Sequence, residues 1–308
     1  MRSVLPEIEK KEDRSLLQQQ VFEVLAYFDV FKHPLAQHEI QRIIGADKDT
    51  LLLLLNDLCL RKVIFVHEQF YSMDADIETL VQKRTLAEKL AKDYLPKLEK
   101  YQKIISSFPF VRGIAVSGSL SKGVMHENGD IDFFIITQPG RLWICRSLLV
   151  AYKKFRLLNS RKYFCLNYFV DTNNLEIRDK NIFTFMELFH LLPVFSERNT
   201  LGEFFKANAW MEYYFPAFRV PELEDSISIN ARKNRTEKLL AGKWGDMLER
   251  LAHRLTLQRW RKKFAHFNAE KFELTMRSTI GVSKHHPRDF QSRVLLVYAD
   301  KLNQLQQR

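Results

Sequence analysis

The sequence predicts an α+β protein in three parts: a small module of helices and a hairpin, a sheet-bearing core, and a helical C-terminal region. Three observations predict it. Residues 15–73 hold three helical stretches followed by two short alternating runs. The middle of the chain holds β-rich runs at 114–116, 131–136 and 163–170 with helical stretches between them. From about Glu197 the composition shifts to an aromatic-rich helix, a polar linker over 221–234 and then long basic helices. The parts are placed at residues 1–76, 77–195 and 196–308.

In the first part, the stretch 16–28 puts Phe22, Leu25 and Ala26 on one helical face. Pro34 precedes a second helix that Gly45 ends, and Asp47 or Asp49 caps a third that runs to Leu60. The runs 63–66 and 70–71 then pair around His67-Glu68-Gln69. Three helices and a hairpin in this order resemble a winged-helix domain. The third helix carries five consecutive leucines and few side chains for base edges beyond Asn56, Arg61 and Lys62. A structural or partner contact is therefore expected rather than sequence-specific DNA reading. Residues 77–107 read as one amphipathic helix, broken or kinked at Pro96.

The stretch 113–137, GIAVSGSLSKGVMHENGDIDFFIIT, organises the rest. A strand ends in the small-residue turn Ser117-Gly118-Ser119, and a second strand opens on Asp130-Ile131-Asp132. Side chains alternate along a strand, so Asp130 and Asp132 share a face. Paired carboxylates repel each other and cost desolvation unless a cation lies between them. Hard oxygen ligands of this kind suit Mg²⁺. Gly118 and Ser119 offer close backbone approach and a hydroxyl for phosphate, and Lys122 follows at the start of an expected helix. Together these residues make a place for a nucleoside triphosphate.

Gly118-Ser119, ten intervening residues and Asp130-Ile131-Asp132 resemble the signature of the nucleotidyltransferase superfamily with the polymerase-beta-like fold. The resemblance implies a mixed-sheet nucleotidyltransferase core with NTP as substrate and Mg²⁺ as cofactor. It also implies transfer of a nucleoside monophosphate to a hydroxyl, with loss of pyrophosphate. The acceptor stays open among a protein, a small molecule and an RNA. The superfamily normally takes a third carboxylate from a later strand. Here Asn167 stands between apolar neighbours where that acid belongs, and Asp171 lies four residues on, so Asn167 and Asp171 are both candidates. Glu187, on a helix expected over 184–192, is a third candidate. The resemblance also suggests that Lys284 touches the triphosphate. An amide at position 167 leaves a second expectation standing: a catalytically silent nucleotide-binding regulator, or a nucleic-acid or partner binder.

The remaining elements follow. Pro139-Gly140 turns the chain into a helix over 141–158. Phe204, Phe205, Trp210, Tyr213, Tyr214, Phe215 and Phe218 form an aromatic segment that Pro216 and Pro221 end. A long helix over 238–267 carries an apolar stripe of Trp244, Leu248, Leu251, Leu255 and Trp260, with Arg250, Arg254, Arg259, Arg261, Lys262 and Lys263 on its other faces. His285-His286 lacks a partner at metal spacing, and a helix closes the chain over 293–305.

A net charge of +11 suggests an anionic partner such as nucleotide or nucleic acid. Cys59, Cys145 and Cys165 sit in apolar segments at unrelated spacings, which fits reduced thiols and no zinc site. The charged opening MRSVLPEIEKKEDR has no leader-like apolar stretch, and no apolar window is long enough to span a bilayer. A cytoplasmic protein with no membrane partner is expected.

Overall fold

A computed structural model describes residues 5–215, 218, 219, 225 and 230–307. Pro216, Pro221 and most of the expected linker lie outside the described residues.

The first part follows the expected order. Helix α1 (Leu5–Asp29) leads through β1 (Leu35–Ala36) into α2 (Gln37–Ile44), α3 (Lys48–Leu60), β2 (Phe65–His67) and β3 (Phe70–Ser72). The three strands form one antiparallel sheet with β3 in the middle. Gly45 ends α2 at φ +76°, a conformation that suits a residue without Cβ, and the Asp47 carboxylate caps α3 through the Asp49 and Thr50 amides. Four α3 leucines, Leu51, Leu54, Leu55 and Leu58, are buried against α1 and α2, so the leucine run is a packing surface. Helix α4 (Ile77–Ser106) continues through Pro96 without interruption.

The core follows as β4 (Val111–Ser117), α5 (Gly118–Ser121), β5 (Asp132–Thr137), α6 (Leu142–Arg156), β6 (Cys165–Asp171), α7 (Ile182–Phe189) and β7 (Leu192–Ser196). Then come α8 (Thr200–Ala207), a 3₁₀ turn (Ala209–Tyr213), α9 (Ala231–Leu239), α10 (Lys243–Lys263), α11 (Ala269–Met276), β8 (Ser278–Thr279), β9 (Val282–Lys284) and α12 (Phe290–Gln306). Six strands make one mixed sheet in the order β7-β4-β5-β6-β9-β8; β5 and β6 run parallel and the other neighbours antiparallel.

The sheet is covered on both faces. Phe133 and Ile135 pack with Tyr94 and Leu98 of α4 and Trp143 and Leu149 of α6, whereas Phe134 and Ile136 pack with Phe185 of α7, Phe204 of α8 and the N-terminal module. That alternation is the strand period of two read out on two hydrophobic cores. The chain's two ends also meet: Tyr27 lies against Tyr298, with ring centroids 6.4 Å apart, and Asp29 pairs with Lys301.

Three expectations change. The region after 196 is not only helical, because β8 and β9 join the sheet beside β6; a limit at 195 therefore cuts through one sheet. The helix expected over 184–192 ends at Phe189, and Leu192 opens strand β7. The long helix expected over 238–267 is two helices divided at Gly242, with a different inward face from the one expected. Of the expected stripe Trp260 is buried, but Trp244, Leu248, Leu251 and Leu255 are exposed and Glu249 is buried instead. The reason is at the start of α6, whose first amides need a partner. The Glu249 carboxylate accepts from the backbone N–H of Trp143 and of Ile144, both at 2.8 Å. Glu249→Ala leaves two buried amides unsatisfied and is expected to cost about 3 kcal/mol, read from the midpoint of a denaturant melt.

Candidate functional site

The end of β4, the start of β5 and the start of β6 lie side by side: Ser117 is opposite Asp132, and Asp132 is opposite Cys165. The segment between the aspartates is locked in place, since the Ile131 amide donates to Lys162 O and its carbonyl accepts from the Cys165 amide, both at 3.0 Å. Ile131 itself is fully buried, so the apolar residue between the two acids anchors them from below. One oxygen of Asp130, one of Asp132 and Cys165 Sγ lie within 4.8 Å of one another. Burial, with Asp130 beside it, pushes the Asp132 carboxyl up to about 7. This oxygen-rich, mutually repelling pair has the chemistry of a cation site, and Asp130 and Asp132 are the residues that would hold a divalent ion.

A folded pKa of about 7 for Asp132 lies above the ordinary value of about 4, which gives a signed pH dependence. In the metal-free protein the stability from this proton is present below about pH 4 and is lost as pH rises through 7. A metal ion competes for the same carboxylate. For Mg²⁺, which takes oxygen donors, affinity is expected to climb roughly tenfold per pH unit up to about 7 and then level off, as measured by calorimetric titration of the metal-free protein.

Strand β6 carries a register shift that decides which residue joins the aspartates. Phe133 faces Leu166 but Phe134 faces Tyr168, so Asn167 is the extra residue between them. A bulge of this kind re-aims a side chain, and the Asn167 amide Nδ2 donates to Asp132 Oδ1. The Cys165 thiol donates to Asn167 Oδ1 at 3.1 Å. Asp171 goes elsewhere. It sits opposite Thr137 at the far end of β5, five residues from Asp132, or about 16 Å at the rise of a strand. Its carboxylate caps a turn, accepting from the Asn173 amide at 3.0 Å and Asn174 Nδ2 at 2.7 Å. Asp171 is thus corrected from site candidate to turn cap. Asp171→Ala is expected to lower stability by about 1–2 kcal/mol while NTP turnover stays within about twofold of wild type.

Gly118 begins α5 at φ +75°, and a Cβ there would stand 2.8 Å from Asp132 Oδ2. A side chain here would be strained by the backbone and would displace the aspartate. Glu187, from α7, reaches the same turn. Its Oε2 accepts from the Gly118 amide at 3.3 Å and its Oε1 from Lys122 Nζ at 2.8 Å. Lys122 also donates to the Gly118 carbonyl at 3.2 Å. Burial pushes the Glu187 carboxyl up, but Lys122 and the Gly118 amide outweigh it and hold it below the usual range. Glu187 thus braces the turn instead of joining the aspartate pair. A cavity of about 820 Å³ opens beside Gly118 and Ser119, walled by Phe28, Leu80, Ala87 and Phe290, with Lys122 and Glu187 also lining it. That volume is in the range of small-molecule sites.

Lys284 is corrected as well. It is buried on β9, and its ammonium is engaged by Asp179 at 2.8 Å. His285 and His286 pack against Trp260 and Tyr168 respectively. Cys165 is the site residue that the sequence reading missed. The signal was its place two residues before Asn167 on one strand, which a count of cysteine spacings does not register.

No helix among the described residues is long and apolar enough to cross a membrane. No curated protein and no solved structure matches the chain. The family model described as nucleotidyltransferase domain matches residues 98–213, which span β4 to the 3₁₀ turn and hold Gly118, Ser119, Asp130 and Asp132. Over residues 98–213 the chain is thus similar to the nucleotidyltransferase domain, the family that its Gly-Ser and Asp-x-Asp motifs resemble.

Proposed function

We propose that the protein moves a nucleoside monophosphate from an NTP to an acceptor hydroxyl and releases pyrophosphate. The observation that carries this reading is the meeting of Asp130 and Asp132 with the Gly118–Ser119 turn, at the 2.8 Å separation a Cβ at Gly118 would have from Asp132. Asp130 and Asp132 hold the divalent ion, which when bound stabilises charge on the attacking and leaving oxygens. Gly118 and Ser119 cradle the β- and γ-phosphates, and Lys122, paired with Glu187, lies at the same turn. Positioning by these residues does most of the remaining work, as in phosphoryl chemistry generally. The N-terminal module, whose helices and hairpin resemble a winged helix, serves as a partner contact. Exposed basic residues on α10, among them Arg250, Arg254 and Arg259, suit an anionic partner.

A second reading, a catalytically silent nucleotide-binding regulator, is favoured by one observation. The position where the superfamily places its third acid holds Asn167, and an amide does not take a proton from an acceptor hydroxyl. Pyrophosphate release separates the two. The transferase reading expects release from at least one NTP with Mg²⁺ or Mn²⁺, lost in Asp130→Ala. Metal-dependent NTP binding with no release favours the regulator. Binding to nucleic acid that weakens steeply with salt and ignores both aspartates favours a nucleic-acid binder.

A further inference from the structure

We propose that Cys165 is the third protein ligand of the metal centre, so that the centre prefers a thiophilic divalent ion of the Zn²⁺ or Co²⁺ class over Mg²⁺. This rests on the reading of Asp130 and Asp132 as metal ligands. Three features carry it. Sγ of Cys165 and an oxygen of each aspartate lie within 4.8 Å of one another, and one tetrahedral ion with bonds of about 2.0–2.3 Å would draw them in to about 3.5 Å, a movement of about 1 Å. The backbone enforces this, because Cys165 and Asp132 are register partners on the parallel strands β5 and β6, and the Cys165 amide is bonded to Ile131 O. Asn167 then bridges the two prospective ligands, donating to Asp132 and accepting from the Cys165 thiol at 3.1 Å. In the metal-free protein this bridge sets the directions of both side chains, and once the thiol gives up its proton Asn167 keeps its bond to Asp132, as the outer partners of metal ligands do. Asn167 is thus a positioning residue for the centre rather than a degraded acid.

On binding, the S–H bond breaks, its proton leaves to solvent and a sulfur–metal bond forms, with no change of oxidation state. Thiolate ligation moves preference away from Mg²⁺, which demands oxygen donors.

The test is a Co²⁺ titration of the reduced, metal-free, full-length protein, followed by near-ultraviolet absorbance and by calorimetry. The expected result is a thiolate-to-cobalt charge-transfer band that saturates at one equivalent and is absent in Cys165→Ser and Cys165→Ala. Those variants are expected to keep Mg²⁺ affinity while Zn²⁺ affinity falls at least about tenfold. Co²⁺ that binds wild type without the band overturns the proposal and leaves the aspartate pair as a metal site. Absence of Co²⁺ binding, or binding unaffected by Asp130→Asn with Asp132→Asn, overturns the reading beneath it.

Discussion

Asp132→Ala is expected to lower NTP turnover by at least about a thousandfold while leaving the fold intact. Removing a ligand that holds charge at the reacting phosphate forfeits several kcal/mol of transition-state stabilisation, and each 1.36 kcal/mol is about tenfold in rate. Asp132 is the residue on which the site converges. Asp130 lies beside it, Asn167 donates to it, Cys165 is its register partner and a Cβ at Gly118 would collide with its carboxylate. The fold does not depend on its charge, because burial and Asp130 already push its carboxyl up to about 7. Removing that charge relieves repulsion, so the metal-free variant is expected to melt at or slightly above the wild-type temperature. Pyrophosphate release and a thermal melt on the same preparation check both halves. A variant that is inactive because it is unfolded would contradict the account.

The second large effect is expected from Gly118→Ala, which should cut turnover by about a hundredfold, the cost of a misplacement near 1 Å. Two penalties combine there. The residue has φ +75°, where a Cβ is strained, and that Cβ would stand 2.8 Å from Asp132 Oδ2. The second penalty moves the aspartate itself. Gly123→Ala separates them, since Gly123 has φ +74° with nothing within 4 Å of an added Cβ. It carries the backbone strain without the collision, so its stability should fall by about 1 kcal/mol with turnover nearly unchanged. Equal loss of turnover in the two variants would show that strain alone, rather than contact with Asp132, governs the turn.

What the sequence revealed, and what it did not, follows from the range of each interaction. That Asp130 and Asp132 lie together was legible because the apolar Ile131 between them is buried, although β5 itself begins only at Asp132. Gly45, Asp47 and the leucines of α3 were legible as well, being caps and a helical face. The preference for Asn167 over Asp171 was legible in the four residues that separate them, but the re-aiming of Asn167 was not, because it turns on a register shift between β5 and β6 that no single strand displays. Strands β8 and β9 have two and three residues; β9 exists through pairing with β6, more than a hundred residues earlier in the chain, and β8 through pairing with β9. The inward face of α10 was misread because hydrophobicity was used to find it. Its deepest anchor is a carboxylate, Glu249, drawn inward by the unpaired amides at the start of α6. Cys165 was passed over because thiols were judged by spacing to other thiols, whereas its partners are carboxylates on a neighbouring strand.

Which label reaches the acceptor separates nucleotide transfer from phosphoryl transfer at this site. The most direct measurement uses two parallel incubations with cell extract and a divalent ion, one with α-labelled and one with γ-labelled NTP. The account predicts that the α-label becomes attached to an acceptor, that the γ-label leaves as pyrophosphate, and that both signals vanish in Asp132→Ala. A γ-label on the acceptor, or NTP left intact by a protein that binds it with metal, would contradict it.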